Sequence, residues 1–175
     1  VAFAKQLGVI KDEASFMAID GLHEAIVEDE NVSLGMIDVS TVESALSLPF
    51  VNTGSPHLVK EVNNVEELNV AVEGKMLREK HSQEGANVNF VTKAGDTLKV
   101  RTYERGVEAE TYSCGTGVTA VALAMNKDVA HGKYHVPIQT LGGDLAVKFE
   151  STPNGFKNIQ LVGPATFVYQ GSFSC

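Results

Sequence analysis

A cysteine leads a glycine-rich tetrapeptide, Cys114-Gly115-Thr116-Gly117, directly ahead of an apolar run from Val118 to Met125 that reads as a helix. The first N–H groups of a helix lack carbonyl partners and the dipole is positive there, so the turn favours an anion and makes a neighbouring thiol more acidic. A thiolate and a carboxylate site would coincide at this point, and the glycines let a ligand approach the backbone closely. The competing reading is a buried, inert cysteine beside a glycine turn, the commoner fate of a free cysteine.

A short loop earlier, Glu104-Arg105-Gly106 ends a β-prone segment. Adjacent residues on a strand point to opposite faces, so this pair is more than a salt bridge to itself. Arginine offers a planar fork for a carboxylate; glutamate can accept from an ammonium or handle a proton. The alternative is a solvated pair at a strand end, which contributes little. Ser55-Pro56-His57, preceded by Asn52-Thr53-Gly54, is a turn carrying an imidazole able to titrate near neutrality. Among the five histidines the nearest pair, His131 and His135, spans Gly132 and a strand start, so no metal site is expected.

These residues need elements to hold them. Val1 to Leu7 reads as a helix closed by Gly8, and Phe16–Ile19, His23–Val27 and Val32–Met36 read as a small meander. Ser40 with Glu43 predicts a short helix through Leu46, and Asn64 with Glu67 a second helix over Leu68 to Leu77. Strands are expected at Val88–Thr92 and Thr97–Tyr103, then at Tyr134–Thr140, Asp144–Glu150, Phe156–Val162 and Ala165–Tyr169. The helix from Val118 has no polar face, so protein must surround it. Short strands around one buried helix, without regular strand–helix alternation, predict an α+β, barrel-like module.

With 43% apolar and 21% charged residues in 175, the chain can fold around a real core, which excludes disordered and low-complexity classes. The net charge of −8, with no basic cluster, argues against nucleic acid, and no apolar stretch is long enough for a membrane helix. Cys114 and Cys175 form neither a disulfide framework nor a zinc spacing, so a reducing, cytoplasmic setting is expected. The chain opens inside its first helix without a methionine, so its natural start is expected upstream.

Arg101-Thr102-Tyr103-Glu104-Arg105-Gly106 followed by Glu110-Thr111-Tyr112-Ser113-Cys114-Gly115-Thr116-Gly117 resembles the signature of the diaminopimelate epimerase family. The resemblance extends to Gly54-Ser55-Pro56-His57, Asn87-Val88-Asn89-Phe90, Leu141-Gly142-Gly143 and Gly163-Pro164-Ala165. It implies two barrel-like lobes, each around a central helix, with one catalytic cysteine per lobe and a cofactor-independent interconversion of LL- and meso-diaminopimelate. On that pattern residues 1–36 are a remnant of the N-terminal lobe, 37–162 the complete C-terminal lobe, and 163–175 a strand returning to the first. The other cysteine would lie just upstream of Val1. Cys114, Glu104 and His57 are implied as the proton-handling group, and Gly115 and Thr116 as the cradle of the reacting carboxylate. Asn87, Arg105 and Ser55 would clamp the far end of the substrate. Ser55 stands where the family more often has asparagine, and the loop from Arg105 to Cys114 is one residue longer than usual and lacks a second glycine. A small-molecule substrate and, as one arrangement, a homodimer are the partners implied; neither metal nor pyridoxal phosphate is. The rivals are a racemase or isomerase of the same fold acting on proline-like or cyclic substrates, and a non-catalytic amino-acid-binding protein.

Overall fold

The computed structural model describes residues 1–81 and 84–172. A short helix α1 (Ala2–Gln6) precedes an antiparallel meander, β1 (Glu13–Ala18), β2 (Gly21–Glu28) and β3 (Asn31–Gly35). A hairpin, β4 (Glu43–Ala45) and β5 (Leu48–Asn52), leads to β6 (Pro56–Glu61), helix α2 (Val70–His81) and β7 (Asn87–Ala94). Then follow β8 (Thr97–Glu104), β9 (Ala109–Thr111), α3 (Gly115–Met125), β10 (Gly132–Thr140), β11 (Gly143–Thr152) and β12 (Gly155–Pro164). The strands form one mixed sheet in the order β1-β2-β3-β12-β11-β10-β8-β7-β6-β5-β4, with β9 on β8. Two pairs are parallel, β6 with β7 across α2 and β8 with β10 across α3, as parallel neighbours need a long crossover.

The sheet curls around α3, which touches β5, β6, β7, β8, β11 and β12. Val118, Ala120, Val121, Ala122 and Leu123 are fully buried, as the all-round apolar pattern requires. Each fully buried valine or leucine contributes about 1.5–3 kcal/mol, so this one helix anchors the core. Its buried hydroxyl, Thr119 Oγ1, donates to Gly115 O at 2.9 Å. A second cluster lies on the outer face, where Leu58, Val88, Phe90 and Tyr103 meet Val65 of the preceding loop and Val70 at the start of α2. Strand alternation therefore splits β6, β7 and β8: Leu58, Val88, Phe90 and Tyr103 face out, and Val59, Val91, Leu98 and Val100 face α3. The same period sends His57, Asn87, Asn89, Thr102 and Glu104 inward.

Four sequence expectations need correction. The helix expected after Ser40 is the β4–β5 hairpin, because Leu46 and Ser47 both take positive φ (53° and 61°) and close a two-residue turn between Ala45 and Leu48. The helix expected from Leu68 starts at Val70, capped by Asn69, whose Oδ1 accepts from Val72 N at 3.2 Å; Asn64 makes a local turn with Glu66 N instead. The helix read from Val118 begins at Gly115 with Cys114 as its N-cap. Ala165–Tyr169 forms no strand: β12 already pairs with β3 up to Pro164, and beyond Ala165 N, which donates to Glu30 O, the segment runs exposed. Strand β9, which the sequence did not announce, pairs Thr111 with Thr102 and Ala109 with Glu104. Cys175 lies outside the described residues.

The meander is tied to the loop before β6 through a charged pair. His23 is buried; Nδ1 donates to Gly35 O at 2.7 Å and Nε2 faces Asp20 Oδ1 at 2.9 Å. A carbonyl and a carboxylate can only accept, so both ring nitrogens carry hydrogens and His23 is an imidazolium. The Asp20 hydrogen bond holds the His23 pKa above its usual value and holds that of Asp20 below. Asp20 in turn sits over Gly54, where a Cβ would come within 2.5 Å of Oδ2. His23 thus stabilises the fold fully below pH about 6.5, its unfolded pKa, and that contribution is lost as pH rises through the higher folded value. Asp20 contributes above its unfolded pKa and loses that contribution as pH falls through its lower folded one. Urea midpoints should therefore drop between pH 6 and pH 9 in the wild type and stay flatter in His23→Asn. Equal slopes would exclude the charged pair.

Candidate active site

Cys114 holds extended backbone angles, φ −132° and ψ 109°, and its carbonyl accepts from Val118 N at 2.9 Å, which starts α3. Its half-buried sulfur faces the Thr116 and Gly117 N–H groups, and Thr116 Oγ1 lies 3.5 Å from Sγ. Burial raises the thiol pKa above its ordinary value, and the charge of Glu104 adds to that rise; the Thr116 hydroxyl and the two amides pull it down without cancelling it. The more acidic thiol expected from the helix terminus is thus overturned: desolvation outweighs the donors. A thiol of raised pKa that still has three donors aimed at it can either give or take a proton.

His57 does not titrate near neutrality. It is 0% exposed, and burial, with the positive charge of Arg105, pushes its pKa down to about 3. The ring is neutral and hydrogen-bonded on both sides, Nε2 with Thr116 Oγ1 at 2.9 Å and Nδ1 with Asn89 Nδ2 at 3.1 Å. Thr53 Oγ1 donates to Thr116 O at 2.8 Å and pins the helix start against the loop before β6.

The loop before β6 and the loop after β8 meet at Asn87. Its Nδ2 donates to Ser55 Oγ at 2.7 Å and to Pro56 O at 3.2 Å, while Oδ1 accepts from Arg105 N at 2.9 Å. Ser55, Asn87 and Arg105, singled out together in the sequence, are therefore neighbours, and the Ser55 hydroxyl keeps its own hydrogen to donate. Glu108, at φ 58°, takes the left-handed position a glycine would suit; Glu108 N donates to Glu104 O at 2.8 Å and its carboxylate accepts from Gly106 N and Arg78. Strand β9 is held by Arg101, whose guanidinium bonds Glu110 through Nε at 2.6 Å and Nη2 at 2.7 Å.

The sequence missed Asn89, Thr102 and Thr53. Period two from Asn87 and Glu104 was the available signal, since it puts Asn89 and Thr102 on the site's face, where they are cross-strand partners. Among the described residues no group of three or more His, Cys, Asp or Glu could hold a metal. No helix is long and apolar enough to cross a membrane among them.

The Diaminopimelate epimerase family model matches residues 49–168, which includes every site residue named above. The chain belongs to the diaminopimelate epimerase family. A diaminopimelate epimerase of Flavobacterium psychrophilum is 44% identical over 97% of this chain and 68% of its own length. One of Aquifex aeolicus is 35% identical over 99% of this chain and 66% of its own. The chain thus spans about two thirds of the length of these curated members of the family. Among solved structures, a hydroxyproline epimerase from Agrobacterium vitis superposes with TM-score 0.69 at 16% identity, covering 93% of this chain and 60% of that one. A phenazine biosynthesis protein of the PhzF family from Bacillus anthracis gives TM-score 0.66 at 14% identity, covering 95% and 71%. At such identities the likeness is one of fold: the expected α+β class holds, and the chain shares the fold of these two structures.

Proposed function

We propose that this chain supplies one of two proton-transfer groups of an epimerase that interconverts LL- and meso-diaminopimelate. The observation that carries the reading is Cys114 at the N-terminus of α3, with N–H groups, the Thr116 hydroxyl and Glu104 converging on it. As thiolate, Cys114 takes the α-proton; as thiol, it returns one. The Gly115 and Thr116 amides hold the reacting carboxylate, where charge builds as the proton leaves, and such preorganised donors are usually the largest catalytic contribution. Glu104 receives the substrate ammonium and keeps the thiol from ionising too readily. His57 acts as a fixed neutral donor to Thr116. No cofactor enters this reading.

Inversion needs a second group on the opposite face of the carbon, supplied in this proposal by a cysteine outside these 175 residues. In this proposal residues 1–36 belong to the lobe that carries it, 37–162 form the lobe built around α3, and the chain from residue 163 belongs with the first. The Ser55–Asn87–Arg105 cluster receives the distal amino-acid group. A substrate lacking that group would leave these polar atoms unpaired, which disfavours a simple or cyclic amino acid.

The test is one stereoisomer of diaminopimelate in deuterium oxide, followed by mass spectrometry and chiral separation. A chain extended to the relatives' full length should invert it with deuterium at the α-carbon. Residues 1–175 alone should not. Inversion by 1–175 would overturn the two-group mechanism, and no exchange by the extended chain would overturn the function.

A further inference from the structure

Behind Cys114 lies a buried polar row that the mechanism above uses only at its near end. Asn89 is 0% exposed, and its Nδ2 lies 3.1 Å from Leu58 O as well as 3.1 Å from His57 Nδ1. Its Oδ1 accepts from Thr102 Oγ1 at 3.0 Å, and Thr102 is buried too. Leu58 O is a main-chain carbonyl and can only accept, so the nitrogen of the Asn89 amide must face it. The second hydrogen of that nitrogen then points at His57 Nδ1, which has to be the bare, accepting nitrogen. The ring hydrogen sits on Nε2 and is donated to Thr116 Oγ1 at 2.9 Å. Thr116 has one hydroxyl hydrogen, and with His57 donating to its oxygen that hydrogen is left for Cys114 Sγ at 3.5 Å.

We propose that Asn89 is a positioning residue for the reaction: it fixes His57 as the neutral Nε2–H tautomer and thereby turns the Thr116 hydroxyl hydrogen onto the Cys114 sulfur. The opposite tautomer would draw that hydrogen to His57 Nε2 and present an oxygen lone pair to the sulfur, favouring thiol over thiolate. The row thus selects the state in which Cys114 can take a proton. The low basicity of the buried ring supports the assignment, because an imidazolium would donate from Nδ1 as well and collide with the Asn89 amide. The charged groups that bear on this corner are Glu104, which opposes the thiolate, and Arg105, which acts on His57. The inference rests on the reading of Cys114 as a proton-transfer group, but its readouts do not need turnover.

Two measurements on the full chain test it. In the nitrogen-15 spectrum of the wild type, His57 should show a protonated Nε2 and a bare Nδ1, unchanged from pH 6 to 9. The pH profile of iodoacetamide alkylation, followed on the Cys114 peptide by mass spectrometry, should shift upward by roughly one pH unit in Asn89→Leu and in Thr116→Val, since a hydrogen bond to a charged group is being lost. Thr116→Ser should restore the wild-type profile, and the Asn89→Leu/Thr116→Val pair should shift no further than either alone. A wild-type Nδ1–H tautomer, or a ring that titrates in that range, overturns the proposal even if Asn89→Leu does not fold. So does an Asn89→Leu profile that matches wild type, or additive shifts in the pair. If diaminopimelate is not turned over while the tautomer and the profiles come out as stated, the function fails and the relay stands.

Discussion

Cys114→Ser is expected to lower α-proton exchange by about 10²–10⁴-fold, the range general acid–base groups supply, while the folded state becomes no less stable. The two halves of that expectation come from one position. A hydroxyl is far less acidic than a thiol of ordinary pKa about 8.5, so the serine cannot hold the anionic form that takes the proton. Yet Cys114 is the N-cap of α3, where its sulfur is only a weak acceptor for the first amides, whereas serine is among the preferred residues there. Its oxygen can accept from the Gly117 amide, so the urea midpoint should hold or rise. Turnover at the wild-type rate would remove Cys114 from the chemistry. A collapse in stability would show that the sulfur is core packing, the inert reading that its position in the sequence first favoured.

The parts of this fold that the sequence states openly are those set by local pattern. Helix α3 is apolar on every side, and only a surrounding sheet can satisfy such a helix, so both its existence and its burial are readable from Val118 to Met125. The β7–β8 hairpin is announced by two β-prone runs on either side of Gly95-Asp96, where the chain turns. The β4–β5 hairpin was hidden because its turn residues, Leu46 and Ser47, hold left-handed backbone without the asparagine or glycine that usually announces it. Ser40 and Glu43 meanwhile mimic a helix start. At the site, the glycine-rich turn before an apolar run put Cys114 at a helix terminus, whereas Ser55, Asn87 and Arg105 were brought together only by the family resemblance, since nothing in their spacing along the chain joins them. What the spacing hides is the sign of a pKa shift. For His57 and Cys114 that sign depends on how far the rest of the chain excludes water, a property of packing that no local motif contains. Asn89 was hidden for a related reason: an asparagine between two apolar residues on a strand reads as an exposed position until the helix that covers it is known.

The second large effect is expected at Gly117, and its contrast with Gly115 gives it meaning. Both glycines lie in the first turn of α3, where each costs roughly 1 kcal/mol of helix propensity relative to alanine, so a packing reason is needed. A Cβ at Gly115 would meet Leu161 Cδ2 at 2.8 Å, the mobile tip of a side chain that can turn away. A Cβ at Gly117 would overlap Asn89 Oδ1 and lie 3.3 Å from both Cβ and Sγ of Cys114. Asn89 has no room to yield, because its amide is held by Leu58 O, His57 and Thr102 at once. Gly117→Ala should therefore cost about 1–3 kcal/mol of stability, the usual range for overpacking, despite the gain in propensity. It should also slow exchange by about 10²-fold, since a displacement of an ångström at the reacting atoms has that consequence. Gly115→Ala should leave the urea midpoint within a few tenths of the wild type, as Leu161 repacks and the helix gains propensity. Equal midpoints for the two variants, with Gly117→Ala retaining the full exchange rate, would show that the close approach of Asn89 to the first turn of α3 plays no part in holding Cys114.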